Sequence, residues 1–213
     1  VKDLPTPIVE LMEAQTKDPF KVLVTTLLSA RTKDQMTATV VKKLFTQVHS
    51  HKDLAKLTKQ QIQKLIYPIG FYKNKATFLK KLPVVLEEQF DGRIPHTVEE
   101  LVLLPGVGRK TANLVVAVAF KKPAICVDVH VHRITNRWGY VQTSTPLETE
   151  MQLRKILPKK FWLEINWMLV SFGQHHCTPT SPRCSNCIIK KYCAQKGVRS
   201  EEHTSELQSL LII

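Results

Sequence analysis

The chain has 213 residues, room for one ordinary domain or two small ones, and it is long enough to bury a core without disulfide staples. Charged residues are 23% and apolar ones 43%, a globular balance that excludes a disordered chain. Lysine and arginine outnumber aspartate and glutamate 31 to 18, and this net +13 draws polyanions, nucleic acid before acidic membrane. The longest apolar run, Leu114 to Phe120, is far below the ~18 residues of a membrane span. No signal peptide opens the chain, and Val1 in place of an initiator methionine reads as a trimmed start.

In chain order, Asp18-Pro19 offers an N-cap followed by proline at the first helical position, predicting a helix to about Ala30. Capping boxes are predicted at Thr58 with Gln61, Thr97 with Glu100 and Thr145 with Glu148. Gly70 is expected to end one helix and Gly92 to follow another. Lys110 to Ala119 is apolar nearly all round, the pattern of a helix in mid-core, and Phe161 to Gln174 reads the same way. No period-2 alternation is convincing, so the fold class is all-α. Residues 199–213 depart from the rest: Glu201, Glu202 and Glu206 face a single Arg199, and the run 199–209 reads as a translated sequencing adapter. That tail is expected to be non-native and is set aside from fold reasoning.

Three stretches carry chemistry. In Leu104-Pro105-Gly106-Val107-Gly108-Arg109-Lys110, proline stops one helix and a second begins at about Arg109. Gly106 and Gly108 permit positive φ and leave the backbone uncovered, and a helix N-terminus with Arg109 beside it suits a phosphate. Lys110 stands at the mouth of an apolar helix, where the dipole and partial burial disfavour the ammonium form. Such an amine can attack a sugar carbon and form a Schiff base; the plainer alternative is a lysine touching a phosphate.

Asp128 is expected to cap a helix running to about Trp138, with one oxygen on backbone N–H groups and the other available to stabilise charge on a sugar. His130 and His132 are two apart and point to different sides of that helix, so they do not share a metal with His175 and His176. His130 reads as a nucleotide or phosphate contact and His132 as a packed residue.

Cys177, Cys184, Cys187 and Cys193 follow a C-x6-C-x2-C-x5-C spacing, which by geometry admits zinc or a [4Fe-4S] cluster in a reducing compartment. Arg183, Lys190 and Lys191 beside them suit a DNA backbone contact. Cys126 stands apart and reads as a small buried apolar residue.

The hairpin, the Val-Asp-Val-His segment and the cysteine loop, in this order and spacing, resemble endonuclease III of the helix-hairpin-helix DNA glycosylases over about residues 15–197. The resemblance implies a two-domain all-α fold: a six-helix domain over 12–122, and a second helical domain from 1–11 with 123–198 that holds a C-terminal [4Fe-4S] loop. It implies removal of oxidised pyrimidines from double-stranded DNA, then strand cleavage at the abasic sugar. Lys110 becomes the Schiff-base nucleophile, Asp128 the catalytic carboxylate and the four cysteines the cluster ligands. Phe71 occupies the place of a wedge that fills the gap left by a flipped nucleotide, or else it is a core phenylalanine. Arg31 stands where well-known members carry glutamine, a side chain that meets the opposite strand or the vacated space, so a different preference for the damage or for the opposite base is expected. A monomer in the cytoplasm, beside the nucleoid of a prokaryote, is expected. Two rivals are a monofunctional glycosylase of the same fold and a DNA-binding module without catalysis.

Overall fold

A computed structural model of the protein describes residues 6–198. Among them the regular structure is eleven α-helices and two 3-10 turns. The chain divides into two compact units, Thr6–Cys126 with Lys159–Leu163, and Val127–Pro158 with 164–198. The predicted tail, 199–213, lies outside the described residues.

The first unit contains α1 (Ile8–Thr16), α2 (Pro19–Ser29), α3 (Asp34–Leu44), α4 (His51–Lys56), α5 (Lys59–Ile66), α6 (Tyr72–Phe90), α7 (Val98–Leu101) and α8 (Arg109–Phe120). Asp18 caps α2 as expected, its Oδ1 accepting from the Phe20 N–H at 2.9 Å, with Pro19 fixing the first turn. Every residue from Val22 to Leu28 is buried, which makes α2 a central rod. Around it close Leu44, Leu54, Ile62, Leu79, Leu82, Leu86 and Leu101, all fully buried. Truncating any one of these to alanine costs about 2–5 kcal/mol. α8 buries Ala112, Asn113 and Val115 to Val118, the mid-core helix that its composition predicts.

Three details differ from expectation. Gly70 does not end α5; the helix stops at Ile66, and Tyr67 is extended (ψ 134°) because Pro68 follows it. Residues 6–11 belong to the first unit, since Ile8 and Val9 pack on Val22 and Val118, and this unit runs on to Cys126, with Ala124 inside its core. It holds eight α-helices rather than six, two of them (α4 and α7) under two turns long, besides the 3-10 turn Lys159–Phe161.

The second unit contains α9 (Val129–Trp138), α10 (Pro146–Ile156), α11 (Ile165–His175) and a 3-10 turn at Lys190–Tyr192. α11 begins at Ile165 rather than at Phe161, because Lys159–Phe161 turns as a separate 3-10 segment. Gly139 ends α9 in a left-handed conformation (φ 75°), as helix C-caps commonly do. His132 is packed as predicted: its Nδ1 lies 2.6 Å from Thr149 Oγ1, fastening α9 to α10.

Of the capping boxes, Thr58 with Gln61 is reciprocal and complete. At Thr97 the hydroxyl itself donates to the Glu100 carboxylate at 2.7 Å, and at Thr145 the Glu148 carboxylate accepts from the Ser144 N–H at 2.8 Å. Both threonines still accept from the N3 backbone, so the cap survives with a different return bond.

Candidate active site

In the first unit, the hairpin between α7 and α8 is pinned from below and open above. Leu104 and Val107 are buried, and the Val107 N–H donates to the Leu104 carbonyl at 3.1 Å. Gly106 has φ +77°, and a Cβ there would strike the Phe78 ring at 2.5 Å. Only glycine meets both demands. Gly108 differs from expectation: its φ is −89°, and what glycine supplies there is open space, since a Cβ at this position would meet nothing within 4 Å. It is the N-cap of α8 and brings no side chain to that end of the helix. Arg109 and Lys110 follow as the first two residues of α8, both exposed. The partial burial expected of Lys110 is therefore absent, and the positive end of the helix dipole is the feature that remains beside its amine.

Two further candidates meet in the same unit. Arg31 and Phe71 come from sequence positions 40 apart, and the Arg31 guanidinium lies 5.5 Å from the centre of the Phe71 ring. Phe71 is 59% exposed, which excludes the core alternative. Lys75, which no sequence pattern singles out, lies behind them. It is 8% exposed, and its Nζ donates to the Leu28 and Ala30 carbonyls at 2.8 and 2.6 Å. Burial pulls its ammonium down to about 8.

In the second unit, Asp128 caps α9 as predicted. Its Oδ1 accepts from the His130 and Val131 N–H groups, both at 2.9 Å, which fixes the carboxylate on two backbone donors. His130 is half-buried and its Nδ1 accepts from Arg133 at 3.1 Å. Gly173 lets α11 lie against these side chains, because a Cβ there would collide with His130 and come within 3.0 Å of Arg133.

Arg133 and Arg137, one turn apart on α9, reach the cysteine loop. Arg133 donates to the Cys177 carbonyl at 2.8 Å, and Arg137 to the Thr178 and Pro179 carbonyls at 2.7 and 2.6 Å. Arg137 also approaches the Cys177 sulfur at 3.4 Å. Burial lowers the Arg133 guanidinium, with the neighbouring Arg137 charge adding to the effect. Cys177, Cys184, Cys187 and Cys193 line one cavity with Trp138, Phe172 and Arg183. Burial and then the other three sulfurs push the Cys184 thiol up. Among the described residues no three such side chains converge on a single ion position. Four thiols lining one cavity are a donor set that admits zinc or an iron–sulfur cluster. Arg183 is exposed at the rim, and Cys126 is buried outside the set.

Residues 24–159 match the profile described as "HhH-GPD superfamily base excision DNA repair protein". Endonuclease III of Thermotoga maritima is 48% identical over 176 residues, covering 83% of each chain. The chain belongs to the endonuclease III family. Endonuclease III in a solved trapped covalent intermediate with DNA superposes with a TM-score of 0.78 at 34% identity, covering 94% of this chain and 95% of that one. A thermostable thymine-DNA glycosylase superposes with a TM-score of 0.76 at 29% identity, covering 85% of each chain. As an endonuclease III family member, the protein is a DNA glycosylase and abasic-site lyase of base excision repair. No helix among the described residues is long and apolar enough to cross a membrane.

Lys75, Arg133 and Arg137 escape a reading of the sequence because their partners are 40 to 47 residues away. The available signal is weak: three basic side chains on helices that otherwise read as amphipathic.

Proposed function

We propose that the protein excises oxidised pyrimidines from double-stranded DNA and cleaves the abasic strand by β-elimination, with Lys110 as nucleophile and Asp128 as the assisting carboxylate. The observation that carries this is Lys110 itself, an exposed amine in the first turn of α8 immediately after the open Gly106–Gly108 hairpin. Phosphates of the strand dock on the hairpin backbone and Arg109. The damaged nucleotide leaves the stack, since its sugar carbon is unreachable inside the duplex. Arg31 and Phe71 enter the space it vacates. The Lys110 amine bonds to C1′ as the C1′–N bond to the base breaks, and Asp128 stabilises the positive charge developing on the sugar. The C1′–O4′ bond then opens, O4′ taking up a proton, and leaves C1′ as an iminium of Lys110; this acidifies the C2′ proton, whose loss expels the 3′ phosphate.

Cys177, Cys184, Cys187 and Cys193 would hold a [4Fe-4S] cluster, which when bound ties the C-terminal loop into one rigid piece. Arg137 and Arg133 hold the approach to the first of these cysteines, and Arg183 and His130 present contacts to the DNA backbone. The protein acts as a monomer in the compartment that holds the DNA, the cytoplasm of a prokaryotic cell beside its nucleoid.

The test is incision of thymine glycol duplex with borohydride trapping, wild type beside Lys110→Ala. The wild type should nick the strand and form a covalent complex; the variant should do neither. A variant that traps equally well removes Lys110 from its role. Release of base by the wild type without nicking favours a monofunctional enzyme. Binding to lesion DNA without turnover on any substrate favours a module without catalysis. Affinity should fall steeply with salt, as for any protein that neutralises several phosphates.

A further inference from the structure

The ammonium of Lys75 holds two unusual backbone turns together. Arg31 and Phe71 both carry side chains in the left-handed region, at φ 54° and φ 58°. Each such residue costs about 1–2 kcal/mol, so the surroundings must hold it there. The two turns are also closely fitted. The Gly70 N–H donates to Thr32 Oγ1 at 3.2 Å, and a Cβ on Gly70 would come within 2.6 Å of the Arg31 carbonyl oxygen. Lys75 stands one helical turn after Phe71, and its own N–H donates to the Phe71 carbonyl at 3.1 Å. From there its Nζ reaches the Leu28 and Ala30 carbonyls and, at 3.4 Å, Thr32 Oγ1. Three N–H donors of an ammonium meet three acceptors, two of them carbonyls at the C-terminal end of α2 that have no helical partner of their own.

We propose that Lys75 is a positioning residue for DNA engagement: it locks the 30–32 turn onto the start of α6, so that Arg31 and Phe71 meet the gapped duplex already stacked on each other. The proposal rests on the reading above, in which that pair enters the vacated space. Its physical content is preorganisation. A pair held in a strained, exposed arrangement before binding loses little freedom when it enters the stack. A pair on loosened turns must be ordered at the moment of binding. The deficit then falls on DNA with a gap to fill and spares undamaged duplex, where the pair has nowhere to go.

The test compares binding to undamaged duplex and to the same duplex carrying a tetrahydrofuran abasic analogue. Wild type, Lys75→Met and Thr32→Val are each measured alone and in an Arg31→Ala/Phe71→Ala background. Thr32→Val removes the shared hydroxyl while the Lys75 ammonium keeps its two carbonyl acceptors, and it serves if Lys75→Met does not fold. Lys75→Met should bind the analogue duplex about tenfold more weakly and Thr32→Val about threefold, with undamaged duplex unchanged. In the Arg31→Ala/Phe71→Ala background neither change should weaken binding further. Equal losses on both duplexes, or losses that multiply in that background, overturn the positioning role and leave Lys75 as ordinary support for the fold. A wild type without preference for the analogue overturns the gap-filling reading, and the proposal with it; loss of that preference only in the Arg31→Ala/Phe71→Ala protein upholds the reading on its own.

Discussion

The guanidinium of Arg137 donates to the carbonyl of Thr178, 41 residues further along the chain, at 2.7 Å. Arg137 is 7% exposed, and its second terminal nitrogen takes the next carbonyl, that of Pro179. Charge-assisted hydrogen bonds of this kind contribute about 1.5–3 kcal/mol each. They hold the segment that follows Cys177 against α9, the helix capped by Asp128. Arg137→Met should therefore lower stability by about 3 kcal/mol and, on the proposal that the four cysteines hold a cluster, reduce the iron retained per chain on purification. Chemical denaturation and iron analysis check the two halves of this expectation. Full iron content at wild-type stability would show that the loop does not depend on Arg137.

The two hairpin glycines make opposite predictions. Gly106→Ala places a side chain at φ +77° against the Phe78 ring, so it should cost about 2–4 kcal/mol and distort the start of α8. Gly108→Ala meets open space at an ordinary φ and should cost about 1 kcal/mol or less, as an N-cap change. If a phosphate docks on that bare helix end, the added methyl should still weaken DNA binding severalfold. Melting curves beside binding isotherms separate the two effects. Equal destabilisation by both substitutions would mean the hairpin is not pinned as described.

What is legible in the chain is local. Asp18 and Asp128 are caps because a carboxylate next to a helix start bonds to N–H groups two or three residues on, and nothing distant need agree. α8 reads as central because its apolar residues cover every side. Gly70 misleads because glycine is both a helix stop and a close-approach residue, and here the stop comes from Pro68 while glycine makes room for the Arg31 carbonyl. The apolar pattern starts the 161–174 helix too early because its residues at 161–163 belong to a different compact unit from Ile165 onward. The sequence overstates the shelter of Lys110 and hides that of Lys75 for one reason. Burial of a lysine depends on which helix passes over it, and that is set by packing between segments far apart in the chain.

A last prediction concerns acid and base. Glu10 lies in α1, and burial pushes its carboxyl up to about 7, with the Asp34 charge adding to the rise. Lys121 opposes that shift, but its ammonium is also drawn 2.9 Å from Glu13. A carboxyl raised in the folded state keeps its proton there while the unfolded chain has lost it. The folded protein is thus penalised progressively as pH climbs from 4.5 to 7 and fully above that, by about 3 kcal/mol at most. Glu10→Gln abolishes the ionisation and keeps the shape. The variant should match the wild type in stability near pH 4, gain on it through pH 5 to 7, and hold a constant advantage at pH 8. Denaturant titrations of both proteins across that range give the difference directly, free of the other carboxylates they share. A difference that stays flat from pH 4 to 8 would show that Glu10 ionises as easily in the folded protein as in the unfolded chain.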